Sequence, residues 1–286
     1  MQQSIDLLRH KLSGLYPAGE ITGITRMIFE ALCNYSPSDI LLHKDTILSE
    51  DMHLKIESIA RRLVRQEPIQ YILGYTDFCG YRFDVAPGVL IPRPETGELV
   101  TRVIRENGDT PLRIADLGTG SGCIAVTLAL ALPLCRVEAW DISADALRIA
   151  QRNAQKHNAP VNFIQRDILL YTVTEAEAES LDIIVSNPPY IRQSEQAAMC
   201  ENVLGYEPHE ALFVPDESPL LFYEKIARDG IQLLTPGGKL YFEINETQGA
   251  NCARMLEETG YESVEIIKDL YGKDRFIATI KPLRNG

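Results

Sequence analysis

From Leu112 onward the chain alternates between short apolar runs and longer stretches patterned for helix. Leu112 to Asp116, Arg136 to Asp141, Val161 to Gln165, Leu181 to Ser186 and Lys239 to Ile244 read as strands. Ser121 to Leu132, Ala144 to His157, Pro219 to Leu233 and Thr247 to Thr259 read as helices. Strand–helix alternation of this kind predicts an α/β fold, a mostly parallel sheet with helices on both faces. Two further strands fall near Val264–Ile267 and Phe276–Ile280. The connection around Tyr271-Gly272-Lys273 is too short for a crossover helix, so these two are expected to pair antiparallel.

Residues 1–75 follow another pattern. Ile5, Leu8, Leu12 and Leu15 keep helical spacing, as do Ile24, Met27, Ile28 and Ala31, and then Met52, Ile56, Ile59 and Leu63 behind the cap candidate Ser49. Gly14, Pro17 and Ser36-Pro37-Ser38 punctuate them. A small helical bundle is expected over 1–75, then a β-hairpin linker over 76–92 containing Phe78, Tyr81, Phe83 and Val85, then the α/β domain over 93–286. A chain of 286 residues accommodates two such domains.

The longest apolar run, Cys123 to Cys135, is interrupted by Thr127 and Pro133 and is too short to span a bilayer. The opening Met-Gln-Gln-Ser-Ile-Asp has neither a basic flank nor an apolar core, so no secretory peptide is expected. A cytoplasmic protein without a membrane partner follows as the expectation, and a monomer is expected. Net charge is −12, and it is uneven: residues 1–75 carry 8 basic and 9 acidic side chains, the remainder 20 and 31. That balance argues against a polyphosphate as the main ligand. The six cysteines form no C-x-x-C pair and the five histidines do not cluster beside them, so neither a metal site nor a disulfide framework is expected.

Ala115-Asp116-Leu117-Gly118-Thr119-Gly120-Ser121-Gly122 leaves a strand and opens a helix. Such a loop lies at the carboxyl ends of the strands, where open sheets bind ligands, and its glycines let backbone approach a ligand. The bland reading is a tight turn with close helix packing. Asp141 ends the next strand about 20 residues on, as a ribose-binding acid does; its bland reading is a cap for the following helix. A dinucleotide fingerprint would need a third glycine where Cys123 stands, which disfavours a nicotinamide oxidoreductase. The G-x-G-x-G pattern, with an acid two residues before it, resembles the S-adenosylmethionine loop of class I methyltransferases. By that resemblance Asp116 and the backbone of Gly118, Thr119, Gly120, Ser121 and Gly122 face the methionine part, Asp141 the ribose hydroxyls, and Asp167 with Ile168 the adenine edge. Asp167 also reads as a turn residue.

Ile183-Ile184-Val185-Ser186 runs into Asn187-Pro188-Pro189-Tyr190. Adjacent prolines fix φ and hold Pro188 extended, so no helix starts there. The Pro188 carbonyl and the Asn187 side-chain carbonyl offer two acceptors, and Tyr190 a flat face. Together they suit a planar –NH2. An amide or aryl amine nitrogen delocalises its lone pair; acceptors on both N–H bonds orient that lone pair and stabilise the charge that develops on methylation. The tetrapeptide resembles the motif of methyltransferases acting on exocyclic base amines or on glutamine amides, and does not choose between them.

Gln70-Tyr71-Ile72-Leu73-Gly74, Phe83-Asp84-Val85, Leu90-Ile91-Pro92-Arg93-Pro94-Glu95-Thr96 and Tyr206-Glu207-Pro208-His209-Glu210-Ala211-Leu212 resemble, together with the tetrapeptide, the release factor glutamine methyltransferases, the HemK family. The resemblance covers nearly the whole chain and is weakest over 1–65. It implies a Rossmann-like, mostly parallel seven-stranded sheet with an antiparallel last strand. It also implies S-adenosylmethionine as cofactor and methylation of the glutamine in the Gly-Gly-Gln motif of class-1 peptide chain release factors. Asn187, Pro188, Pro189 and Tyr190 would hold that glutamine, with Asn187, Pro188 and Tyr190 serving catalysis. Gly118 to Gly122, Asp141, Ile168 and Asn187 would meet the cofactor. The chain departs from the family at Gly97-Glu98, at Phe213 to Pro219, and at Ile168, where an aromatic residue is common. Two rivals remain: an adenine-N6 nucleic-acid methyltransferase, which would need a basic surface, and a non-catalytic docking protein that keeps the cofactor pocket.

Overall fold

A computed structural model describes residues 1–108 and 110–284. The chain divides into two compact units, one of Met1–Tyr75 with Cys200–Tyr206, the other of Thr76–Met199 with Glu207–Gly286.

The first unit is helical: α1 (Gln2–Leu12), α2 (Ala18–Cys33), α3 (Pro37–Leu42), α4 (Glu50–Val64) and α5 (Ile69–Leu73). Capping sets several of these starts. Ser36 and Asp39 form a reciprocal capping box at α3, and the Ser49 hydroxyl accepts from the Met52 N–H at α4. The apolar stripes meet in a core of Leu8, Leu12, Ile24, Ile28, Phe29, Ile56 and Leu63. The returning segment Cys200–Tyr206 belongs to this unit, and the Tyr206 hydroxyl donates to the Arg65 carbonyl at 2.8 Å.

The second unit begins with the hairpin β1 (Tyr75–Phe78) and β2 (Tyr81–Asp84), turned by Cys79-Gly80. The hairpin stops at Asp84, well short of Ile91. Pro87, Pro92 and Pro94 withhold the N–H groups that a longer ladder would use, and residues 85–93 form a strap. There follow α6 (Pro94–Asn107), β3 (Arg113–Leu117), α7 (Cys123–Ala131), β4 (Arg136–Asp141), α8 (Ala144–His157), β5 (Val161–Gln165) and β6 (Leu181–Ser186). After short β7 (Ile191–Arg192) the chain passes through α9 (Glu201–Leu204), which belongs to the first unit, and then continues with short β8 (Phe213–Val214), α10 (Leu221–Leu233), β9 (Leu234–Glu243), α11 (Gly249–Thr259), β10 (Glu262–Lys268) and β11 (Asp274–Ile280).

The main sheet has seven strands in the order β10-β11-β9-β6-β3-β4-β5. β11 runs antiparallel to both its neighbours, and the β3, β4, β5, β6 and β9 pairings are parallel. Alternate residues of each strand feed opposite faces. Ile114, Val137, Ile183, Val185 and Tyr241 pack with α6 and α7 on one side. Ala115, Leu117, Ile184, Leu240 and Phe242 pack with α10 and α11 on the other. α7 has no charged residue, as suits a helix buried nearly all round. From β3 the chain proceeds to β4 and β5 on one side, then returns to lay β6 on the other. The strand order therefore reverses between β3 and β6, and a crevice opens at their carboxyl ends.

Candidate active site

The loop after β3 turns back on itself through Gly118 (φ 78°) and Gly120 (φ 55°), conformations that a Cβ disfavours. The N–H groups of Gly118 and Thr119 both donate to the Trp140 carbonyl at 2.9 Å, which pins the loop to β4. Gly122 is small for another reason. A Cβ there would lie 2.9 Å from the Ala150 Cβ, so α7 starts hard against α8. Asn153, fully buried on α8, donates to the carbonyls of Ser121 and Asp84 and accepts from the Asp84 N–H, joining the loop to the hairpin.

Asp116 braces the loop from beneath. Its Oδ2 accepts from the Thr119 hydroxyl at 2.6 Å and the Ala125 N–H at 3.2 Å, while Oδ1 is buried without a partner. Burial pushes its carboxyl up to about 7, with Asp141 adding to the rise and the two hydrogen bonds opposing it. Asp141 accepts from the Gly120 N–H at 2.8 Å and the Ser143 N–H at 2.9 Å, and Ser143 caps α8. It therefore anchors the loop and supports the helix cap while facing the crevice. Burial raises its carboxyl too. Asp167 Oδ1 accepts from the Leu169 and Leu170 N–H groups, the turn its position suggests.

A cavity of about 310 Å³ opens over these strand ends. Of the residues singled out from the sequence, Gly118, Gly120, Asp141, Asp167, Ile168, Asn187, Pro188 and Pro189 line it. Asp116, Thr119, Ser121, Gly122 and Tyr190 are not among the lining residues. The walls also include Val89, Leu117, Ile142, Ala146, Leu169 and Phe222, which periodicity marks only as core or loop. Arg166 lies at the rim, its guanidinium 4.1 Å from the Trp140 ring centre and 4.2 Å from that of Tyr171. The strap contributes Gly88 to Leu90, and the segment after α9 contributes Pro208, Glu210 and Ala211. Buried Glu207 joins those two pieces: it accepts from the Ile91 N–H at 3.1 Å and from Arg93 at 2.6 Å.

β6 delivers Asn187 to the cavity wall, beside the glycine loop; the Ser186 hydroxyl donates to the Leu117 carbonyl at 2.6 Å and holds the two strand ends together. The Asn187 Nδ2 donates to the Thr96 hydroxyl at 3.2 Å. The Tyr190 hydroxyl donates to Glu243 Oε1 at 3.1 Å, and neither residue is among those lining the cavity. Burial, then the Glu243 charge, hold the Tyr190 phenol far above its ordinary value, so it stays protonated. Glu243 is itself buried and takes the Thr96 hydroxyl on Oε2 at 2.6 Å. The sequence signal for it is one acid inside the apolar run Leu240 to Ile244. Among the described residues no helix is long and apolar enough to cross a membrane.

Two family models match this chain, the PrmC N-terminal domain over residues 9–74 and the Methyltransferase small domain over residues 95–207. A release factor glutamine methyltransferase of Bacteroides thetaiotaomicron is 48% identical over 270 residues, 94% of this chain and 96% of the relative. One of Flavobacterium psychrophilum is 43% identical over 93% of this chain and 94% of its own length, and one of Lactococcus lactis 42% over 83% and 86%. A methyltransferase structure from Pyrococcus furiosus shares the fold, with a TM-score of 0.52 at 19% identity, covering 70% of this chain and 89% of that one.

Proposed function

The chain belongs to the release factor glutamine methyltransferase family, and from that premise we propose that it methylates the side-chain amide nitrogen of the glutamine in the Gly-Gly-Gln motif of class-1 peptide chain release factors. One observation carries the reading. Thr96 occupies the NH2 edge of Asn187 at the cavity wall, which leaves the carbonyl edge to accept from a substrate.

The residues present suit S-adenosylmethionine. The residues lining the cavity include the apolar Ile142, Ile168, Leu169 and Phe222, which suit the faces of a flat base. Asp141 stands at the end of β4 for a diol, and the glycine loop sits where the amino-acid part would lie. When bound, the cofactor supplies a sulfonium methyl group. The protein's part is to hold the amide. The Asn187 oxygen and the Pro188 carbonyl take the two N–H bonds and fix the lone-pair direction. As the nitrogen gains positive charge these two acceptors bind it more strongly, which is transition-state stabilisation without a general base, and the methylated nitrogen, now strongly acidic, then gives up one of its two protons to water. Pro188 and Pro189 keep the segment from relaxing. Tyr190, tied to Glu243, is a wall behind the segment. The helices of residues 1–75, with a core of their own, are assigned to docking the protein substrate.

The test is mass spectrometry of a release factor incubated with the protein and labelled cofactor. One methyl group is expected on a single glutamine-bearing peptide. Asn187→Ala should slow transfer roughly ten- to a hundredfold, since stranding a polar partner costs about 1–3 kcal/mol. Label in DNA or RNA with none in the release factor, or undiminished turnover by the variant, overturns the reading.

A further inference from the structure

Glu243 closes β9 beside the end of β6, because Phe242 and Ser186 are register partners. It is absent from the cavity lining and nearly unexposed, yet both ends of the Asn187–Tyr190 segment converge on it. Thr96, from the first turn of α6, donates to Oε2 at 2.6 Å, and Tyr190 donates to Oε1 at 3.1 Å. Burial raises the Glu243 carboxyl, while the hydrogen bonds from Thr96 and Tyr190 and the positive charge of Arg275, from β11, oppose that rise and favour the ionised form.

Proton counting then decides the orientation of Asn187. In its ionised form the Glu243 carboxylate only accepts. The single proton of the Thr96 hydroxyl is therefore committed to Glu243, and the hydroxyl oxygen is left to accept. The Asn187 edge 3.2 Å away must be the NH2 edge. Turning the amide over would set two oxygens against each other without a hydrogen between them. It would also present NH2 to the NH2 of a substrate amide. We propose that Glu243 is the positioning residue of this site: through the Thr96 hydroxyl it dictates that Asn187 shows an acceptor to the substrate, and through the Tyr190 hydroxyl it fixes the far end of the same segment.

The proposal rests on the reading of the cavity as the methyl-transfer site. Glu243→Gln replaces an obligate acceptor with a group that accepts or donates, so the Thr96 proton is no longer committed. The expected result is a fall in kcat of about tenfold or more, with KM for the release factor and calorimetric affinity for the demethylated cofactor within about twofold of wild type. Thr96 gives an independent arm should Glu243→Gln fold poorly. Thr96→Val keeps the shape and loses the relay, and should match the loss. Thr96→Ser keeps the hydroxyl and should recover most of the rate. If a folded Glu243→Gln turns over at the wild-type rate, or Thr96→Ser fails as badly as Thr96→Val, the relay is wrong. Failure of the wild type to methylate any release factor would instead refute the functional reading beneath it.

Discussion

Asp116 has no exposed surface, and one of its oxygens has no hydrogen-bond partner. That combination gives a direct consequence for stability. Its folded value, about 7, is raised above the ordinary 3.8, so between those two the native state holds a proton that the unfolded chain has lost. Stability is therefore greatest below the unfolded value and declines as pH rises through the folded one. A shift of that size corresponds to about 4 kcal/mol at its limit. In the cofactor-free protein, chemical denaturation should show stability falling between about pH 4 and 7 for this reason. Asp116→Asn, which keeps an acceptor for Thr119 and Ala125 and has no charge to bury, should flatten that decline. Parallel slopes for wild type and variant would show that Asp116 is ionised throughout. Asp116 reads in the sequence as a ligand-facing acid. The geometry shows it bracing the loop that faces the ligand, a distinction that depends on where one hydroxyl and one N–H three and nine residues away come to rest.

At the scale of elements, the glycine loop combines two requirements that look alike in sequence. Gly118 needs a positive φ and has open space where a Cβ would go. Gly122 needs a positive φ and also has Ala150 against it, with the Cα at 3.1 Å. Gly118→Ala should cost about 1–2 kcal/mol of stability from the left-handed conformation alone. Gly122→Ala should cost that plus an overpacking penalty of about 1–3 kcal/mol, because the neighbour is helix backbone as well as a methyl. Urea midpoints of the two variants check the order; Gly118→Ala proving the more damaging would mean that the α7–α8 contact yields easily. Elements with strict apolar periodicity were legible to the residue: β4, α8, β5 and β6 begin and end where Arg136–Asp141, Ala144–His157, Val161–Gln165 and Leu181–Ser186 mark them. β9 starts at Leu234, earlier than Lys239, since Pro236, Gly237 and Gly238 disguise its first half. There the register with β6 shifts between Leu181 and Ile183. The sequence marks Glu243 only as a lone acid in an apolar strand, which does not by itself tell a role. Its role exists only once α6, β6 and β9 bring Thr96, Asn187 and Glu243 together.

At the scale of the whole molecule, the described residues gather into three apolar clusters. One is confined to the helical unit, with Leu8, Phe29 and Ile56 at its heart, and two lie on the faces of the sheet. The two clusters on the sheet share all seven of its strands and should melt as one. The helical cluster draws on residues 1–73 and has no strand in common with them. Charge divides along the same line, since almost all of the −12 falls beyond residue 75. The residues proposed to hold the cofactor all belong to the second unit. A ligand stabilises only the cooperative unit that binds it, by about 2.7 kcal/mol at a hundredfold excess over Kd. Hydrogen exchange with and without the demethylated cofactor should therefore slow at β3, β4 and the loop of Gly118 to Gly122, at the openings that expose the sheet. Amides of α1, α2 and α4 should exchange at unchanged rates, and denaturant unfolding should depart from a single two-state transition. Equal added protection in α2 and β4 would mean that the chain opens as one unit, and that assigning separate tasks of docking and transfer to its two parts requires a coupling stronger than their separate cores suggest.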